Sequence, residues 1–271
     1  MKQINDALGD VPRLKRDIAA SDFDLVIAAS PENVLYTSDA FISTQIDIRD
    51  RLALIAWDGV REPVFVLCQV EVGYAQEASW IQDIRSYKEF VTSPIDILAD
   101  VIRELGAERG TIGVEMEYLA SGYLRQLQSL LPNASFGACE PIFDHARMFK
   151  TKRERTVLAD AFRGTERALQ ETFQSAVPGQ TEREMCFHLS DGILRSGAES
   201  VAFSHINGGA NTGFPHKDPS DYQLRRGDIL KADAGGRYAR YYSNVGRTAK
   251  LGPLTDEDRS CGGACEKFTT S

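Results

Sequence analysis

The sequence lacks any long apolar run, and no segment approaches the roughly 20 residues that a membrane-spanning helix needs. The N-terminal stretch MKQINDALGDVPRLKRD also lacks the apolar centre of a secretory signal, so we expect a cytoplasmic protein. No basic stripe appears, and the formal net charge is -8, which argues against binding to a polyanion. We therefore expect neither a membrane nor a nucleic acid partner.

Cysteine is scarce, and the odd number of five residues at irregular spacing indicates reduced thiols rather than a disulfide framework. Cys261 and Cys265 form the run CGGAC, but two thiols without partner ligands favour a flexible tail over a zinc site. The sequence contains no internal repeat and no low-complexity tract. With 42% hydrophobic and 26% charged residues, its 271 residues suffice for one large or two medium globular domains.

The first half alternates between strand and helix patterns, which is typical of an α/β domain. Short apolar runs predict strands at 24–30, 51–57, 63–70 and 111–117. Helical spacing predicts helices at 11–21, 93–105 and 118–131. The dipeptide Asp58-Gly59 predicts a hairpin turn, and Ser93 before Pro94 is typical of a helix start. We assign residues 1–145 to this domain.

The second half opens with a long charged helix, KTKRERTVLADAFRGTERALQETF, which the run VPG ends. Thr181 and Glu184 form a capping box for a helix over 182–195. From there the pattern changes to strands, in SVAFSHING, DILKADAGG and a hairpin that continues to Lys250. The last dozen residues lose this apolar periodicity. We assign residues 146–271 to the second domain.

Two polar residues, eleven positions apart, lie in the hairpin DAGGRYARYYSNVGRT. Asp233 follows the apolar run DILKA and is expected at the end of a strand, where an isolated charge is costly unless it is paired or coordinates a cation. Because a hairpin brings its arms opposite each other, Asp233 and Asn244 can face one metal site. Turn capping by Asp233, or pairing with Arg237 or Arg247, is the alternative.

Several motifs, in order, resemble those of the methionine aminopeptidase, prolidase and creatinase family, which has the "pita-bread" fold. They are KTKRER, GQTEREM, NTGFPHKDPSD and GDILKADAGGRYARYYSNVGRT. The N-terminal half is similar to the smaller α/β domain of prolidases, Xaa-Pro aminopeptidases and creatinases. The resemblance covers about residues 11–255. It implies an α/β (α+β) chain with a creatinase-like N-terminal domain and an incomplete, C-terminally truncated pita-bread catalytic domain.

The resemblance also implies roles for individual residues. Asp233 occupies the position of the family's first metal-binding aspartate, and Asn244 the position of the second. His216 matches the histidine that lies beside the substrate and stabilises the transition state. The implied cofactor is a divalent metal (Mn, Co, Zn or Fe) that activates a bridging water. The implied partners are a peptide or small amide substrate and, since many relatives are dimers, a second copy of the chain.

Two departures from the family pattern affect the metal. The neutral amide of Asn244 offers one carbonyl oxygen and cannot bridge two cations as a carboxylate does. The family's later ligands, one histidine and two glutamates, have no match, because no histidine follows His216 and only Glu257 and Glu266 remain, in the irregular tail. We therefore expect weak metal binding and an Xaa-Pro metallopeptidase that is impaired or inactive. Arg240 also replaces the glycine usual in the hairpin turn, which is expected to alter its shape.

Two alternatives stay open. One is a metal-independent, creatinase-like hydrolase or lyase in which His216 is the catalytic base. The other is a non-catalytic gene fragment or binding module. The remaining histidines, His145, His188 and His205, are expected to be structural or on the surface, although His205 lies close enough to the Gly208-Gly209 loop to line the same cleft.

Overall fold

The computed structural model describes residues 2–48 and 50–260, which form two compact units. One unit is Met1–Glu154, and the other begins at Arg155. Three residues of the C-terminal tail, Cys261, Cys265 and Glu266, lie outside the described residues. Within the described ranges, none of the helices combines the length and apolar character that a membrane crossing requires.

The N-terminal unit is built on one six-stranded mixed sheet. Its strands are β1 (Leu25–Ala28), β2 (Leu54–Trp57), β3 (Val64–Cys68), β4 (Asp83–Tyr87), β5 (Thr111–Val114) and β6 (Ser135–Ala138). Its helices are α1 (Val11–Ala19), α2 (Pro31–Ser38), α3 (Ser43–Asp47), α4 (Val72–Ala78), α5 (Pro94–Glu104), α6 (Ser121–Leu130) and α7 (Glu140–Met148). The strand order is β4-β3-β2-β1-β5-β6, with β1 antiparallel to β2 and parallel to β5.

Both faces of this sheet are covered by apolar side chains. Successive residues of a strand point to opposite faces, so a strand that is apolar at every position must be buried on both sides. The four residues of β1 are all buried. Val26 belongs to a core cluster with residues of α1, α2 and α7, whereas Ile27 belongs to a second cluster with residues of α5 and α6. The unit is therefore a three-layer α/β structure.

The predicted strands and helices of this unit are confirmed, including the β2–β3 hairpin. The sequence patterns did not lead us to predict α2, although Ser30 before Pro31 is a start signal and the Ser30 hydroxyl accepts a bond from the Asn33 backbone N–H. Also missed were α3, α4 and α7, and the edge strands β4 and β6. Nearly all residues of the two edge strands are half-buried or exposed, so these strands carry no strong apolar alternation.

Between residues 152 and 250 the chain forms two α-helices and an antiparallel sheet. The elements are α8 (Lys152–Gln174), α9 (Glu182–Arg195), β7 (Ser200–Gly208), β8 (Ile229–Tyr238), β9 (Tyr241–Tyr242) and β10 (Val245–Lys250). Strand β8 is central and antiparallel to β7, β9 and β10. The predicted helix 182–195 is confirmed, and so is its capping box between Thr181 and Glu184.

Alternation along β7 and β8 separates the two faces of this second sheet. Ile206, Leu230 and Ala232 are buried and share a core cluster with Leu189 and Ile193 of α9. The residues between them point to the opposite face, since side chains alternate along a strand. An antiparallel sheet tolerates one apolar and one polar face. The polar face is where the candidate functional residues lie.

Candidate functional site

Asp233 lies in the middle of β8, which corrects the expectation that it ends the strand. The strand continues to Tyr238 through Gly235, although glycine pairs usually mark a turn. A Cβ at Gly235 would come within 2.8 Å of the Phe203 ring and would clash with the Ser243 carbonyl oxygen. Glycine is needed there because neighbouring groups approach the backbone closely, and not because the chain turns.

The register of the sheet places an imidazole beside Asp233. Asp233 pairs with His205 of β7 on one side and with Gly246 of β10 on the other. Directly paired residues of antiparallel strands carry their side chains on the same face, with Cβ atoms about 5 Å apart. His205 and Asp233 are both half-buried.

Among the described residues, three buried polar atoms of His205 and Asn207 have no hydrogen-bond partner. His205 Nδ1 is buried without a hydrogen-bond partner among the described residues. Asn207 is also fully buried, and both polar atoms of its amide lack a partner within the same part of the chain. Because Asn207 lies two residues after His205 on the same strand, its side chain is on the same face. Sequence reasoning missed Asn207, since a lone Asn in a strand carries no motif.

His216 lies in an exposed turn after a short 3₁₀ helix, Gly209–Gly213. Its ring meets the His205 ring edge to face, with 6.2 Å between the centroids. The Lys231 ammonium of β8 donates to the carbonyl oxygens of Phe214 and Pro215, at 2.5 and 2.8 Å. The turn is thereby attached to the strand that carries Asp233, and His216, His205 and Asp233 form one group.

Asn244 is exposed and directly precedes β10. Gly246, two residues further on, is the residue paired with Asp233. The hairpin therefore brings the second polar position to the neighbourhood of the first through the register of the strands. Ser243, next to Asn244, is fully buried, and its hydroxyl bonds to the Thr165 hydroxyl at 2.7 Å and accepts from the Gly236 N–H at 3.0 Å. These bonds fix the chain immediately before Asn244.

The turn of this hairpin has two residues, since Tyr238 pairs with Tyr241. Ala239 and Arg240 have φ of 44° and 71°, which is the left-handed pattern of a type I′ turn. Arg240 thus adopts a conformation that glycine reaches at lower cost, and the turn keeps a shape suited to paired strands. Its guanidinium pairs with Glu199 at 2.5 Å.

The described residues do not fit a complete metal centre. No three His, Cys, Asp or Glu residues among them lie together in a way that could hold a metal ion. Asp233 contributes one carboxylate and Asn244 a single amide oxygen, fewer than the four to six ligands that divalent cations generally take. The alternative partners of Asp233 bind other carboxylates, Arg237 pairing with Glu199 and Arg247 with Glu166.

The two other histidines make contacts with residues that do not belong to this group. His145 is exposed and its Nδ1 lies 3.1 Å from an oxygen of Asp17. His188 bonds to the Ser175 hydroxyl at 2.9 Å. Both arrangements agree with the expected structural or surface roles, whereas His205 joins His216. A residue that sequence reasoning used only as part of a motif is Glu182, whose buried carboxylate lies beside the loop that carries His216.

Two family descriptions match the chain. Residues 11–149, about half of the chain, match the creatinase/prolidase N-terminal domain. Residues 157–268 match metallopeptidase family M24. Together these matches confirm the expected combination of an N-terminal creatinase-type domain with part of a pita-bread peptidase domain.

Individual relatives agree with these matches. An Xaa-Pro dipeptidase of Lactobacillus helveticus is 22% identical over 259 residues, which is 92% of this chain and 67% of the relative. A creatinase of Bacillus sp. (strain B-0618) is 26% identical over 255 residues, covering 90% of this chain and 60% of the relative. The chain therefore spans about 60 to 67% of the length of these two proteins.

The fold is shared with solved peptidase structures. The Xaa-Pro dipeptidase of Bacillus anthracis superposes with a TM-score of 0.78 at 20% sequence identity, covering 92% of this chain and 66% of that one. At this identity the likeness shows the fold alone.

Proposed function

The chain belongs to the creatinase, prolidase and M24 metallopeptidase family, and on that premise we propose that it is a hydrolase of the Xaa-Pro peptidase type. Its proposed substrate is a short peptide with proline after the scissile bond. In this proposal residues 1–145 form the N-terminal domain, and residues 146–271 carry the catalytic residues. Support for a peptidase comes from relatives with peptidase names, which outnumber the creatinase.

The observation that carries the proposal is the edge-to-face contact of His216 with His205, whose strand neighbour is Asp233. His216 is exposed, so its ring can reach a bound peptide. We assign it the donation of a hydrogen bond to the oxygen that gains negative charge when the scissile carbonyl becomes tetrahedral. A positioned donor of this kind contributes roughly 10²- to 10³-fold to a rate.

Asp233 and Asn244 are the proposed cation-binding positions, and the neutral amide at position 244 lowers the affinity for the cation. The described residues complete no metal centre around these two positions. We therefore expect the 271-residue chain to bind Mn²⁺, Co²⁺, Zn²⁺ or Fe²⁺ weakly and to hydrolyse Xaa-Pro peptides slowly or not at all. A homodimer belongs to the same proposal, and light scattering of the purified chain tests it.

The experiment combines a metal titration with a peptide assay. Calorimetry with Mn²⁺ compares the wild type with Asn244→Asp and Asn244→Ala, and we expect at least about tenfold tighter binding by Asn244→Asp, because a carboxylate adds charge and a second oxygen. The Asn244→Ala control should bind no better than the wild type. Hydrolysis is measured on an Xaa-Pro dipeptide against the matching Xaa-Ala dipeptide.

The possible outcomes separate the two parts of the proposal. Tight binding of two cations by the wild type, with kcat of about 1 s⁻¹ or more, would contradict the expected impairment and leave the peptidase assignment intact. Equal treatment of Xaa-Pro and Xaa-Ala peptides in both binding and hydrolysis would overturn the assignment to the Xaa-Pro class. In an active sample, His216→Ala should lower kcat by about a hundredfold or more.

A further inference from the structure

Glu182 is an unusual carboxylate, since it is the first residue of α9 and only 1% exposed. A buried carboxylate is costly unless hydrogen bonds satisfy it. Its Oε1 accepts from the Gly208 N–H at 2.8 Å and from the Asn211 side-chain amide at 2.9 Å. Its Oε2 accepts from both the backbone N–H and the hydroxyl of Ser220, at 2.9 and 2.6 Å. All four donors come from outside α9.

These donors lie on the two sides of the segment that carries His216. Gly208 ends β7, and Asn211 lies in the 3₁₀ helix just before the His216 turn. Ser220 follows that turn by four residues. A single carboxylate group therefore joins the start and the end of the loop, and closes it around His216.

The connection continues to the residue adjacent to His216. Asn211 donates to Glu182 and accepts, through its Oδ1, a bond of 2.5 Å from the Lys217 ammonium. That ammonium also lies over the Phe214 ring, 5.3 Å from its centroid. Residues on both sides of His216 are thus attached to the chain of contacts that begins at Glu182.

Capping of α9 does not require Glu182. Thr181 and Glu184 already form a reciprocal capping box at this helix start. The helix N-terminus does favour a negative charge at position 182. Burial alone would raise the pKa of Glu182, but the hydrogen bonds from Ser220, Gly208 and Asn211 lower it below its ordinary value. The group is consequently ionised at neutral pH and accepts strong, charge-assisted hydrogen bonds.

We propose that Glu182 is a positioning residue for His216, fixing both ends of its loop so that the imidazole is held against His205. The catalytic meaning of this assignment rests on the proposed function, whereas the positional part does not depend on hydrolysis. Glu182 itself is not expected to touch the substrate, because it is buried and its oxygens are occupied.

The test is the Glu182→Gln variant of the 271-residue chain, compared with Glu184→Gln. The glutamine at 182 keeps the size of the side chain but has one acceptor oxygen, so it cannot serve both Gly208 and Ser220. We expect hydrogen exchange at the Gly208 and Ser220 amides to accelerate about tenfold or more, and the ring signals of His216 in a ¹H–¹³C spectrum to shift or broaden. Glu184→Gln should change neither reading, because glutamine maintains a capping box.

Exchange at Gly208 and Ser220 within about twofold of the wild type, with unchanged His216 signals in a folded variant, would overturn the proposal. If Glu182→Gln does not fold, the variant Asn211→Ala tests the proposal instead. It removes only the two hydrogen bonds through which Asn211 connects Glu182 to Lys217. The expected result is a shifted His216 signal, and an unshifted one contradicts the proposal. In an active sample, loss of positioning lowers kcat with little change in KM, and an unchanged kcat contradicts the proposal. Equal binding and equal hydrolysis of Xaa-Pro and Xaa-Ala peptides by every form, including the wild type, counts against the proposed function alone.

Discussion

The sheets of the two units differ in how many of their faces are covered by apolar side chains. In the N-terminal unit helices cover both faces of the sheet, and its central strand β1 is buried at every position. In the C-terminal unit one face of the sheet packs on α9, and the other face presents His205, Lys231 and Asp233. Both faces of the first sheet are therefore buried in the core of its unit, whereas one face of the second sheet carries polar groups.

The two units show the same contrast in a buried carboxylate that each of them contains. Glu115, just after β5, accepts bonds from the backbone N–H groups of Ala29 and Ser30 and, at 2.6 Å, from the Asn33 amide. These donors join the end of β1 to the start of α2, inside the core. The donors to Glu182 instead come from a loop with an exposed histidine. The same chemical group joins two core elements in one unit and the two ends of the His216 loop in the other.

The largest expected effect comes from removing the core carboxylate. Glu115→Ala leaves buried donors without an acceptor, and we expect the free energy of unfolding of the N-terminal unit to fall by about 3 kcal/mol. Both tryptophans of the chain, Trp57 and Trp80, are buried in this unit, so tryptophan fluorescence in a urea titration reports on it. Exposed Glu117→Ala is the control and should stay within about 0.5 kcal/mol. Equal midpoints for the two variants would show that Glu115 does not stabilise the core.

A smaller effect, dependent on pH, is expected at Glu182. Its lowered folded-state pKa means that ionised Glu182 stabilises the unit above the unfolded value of about 4.3, and that this stability is lost as pH falls through the folded pKa. Glu182→Gln should therefore cost about 2 kcal/mol near pH 7 and progressively less below about pH 4. Denaturation of the wild type and the variant, followed by circular dichroism near pH 7 and below about pH 4, measures the loss of stability at each pH. A cost that is the same at both pH values contradicts a lowered pKa for Glu182.

The smallest effect is expected in the hairpin turn. Arg240→Ala and Arg240→Gly both remove the ion pair with Glu199, but only glycine relieves the positive φ. We expect the glycine variant to be more stable than the alanine variant by about 1 kcal/mol. Thermal unfolding of the two variants side by side checks this. An alanine variant of equal stability would indicate that the left-handed conformation carries no cost at this position.

Much of the local structure was predictable from the sequence. Helix 182–195 and its capping box follow from Thr181 and Glu184, and the β2–β3 hairpin follows from Asp58-Gly59 between two apolar runs. The predicted position of Asp233 at the end of its strand was wrong, because the glycine at 235 is required by close contacts with Phe203 and Ser243. Those contacts come from outside β8, so no local pattern reports them.

The sequence by itself determined the family, the order of the elements and the residues with chemical potential, because periodicity, capping and motif spacing are encoded over a few neighbouring positions. Only the tertiary structure decided which of those residues meet. The pairing of His205 with Asp233 depends on strand register, and the bonds of Glu182 to Gly208 and Ser220 join residues 26 and 38 positions apart. Such contacts are set by the burial of one sheet face against α9, which fixes register and, with it, the neighbours of His216.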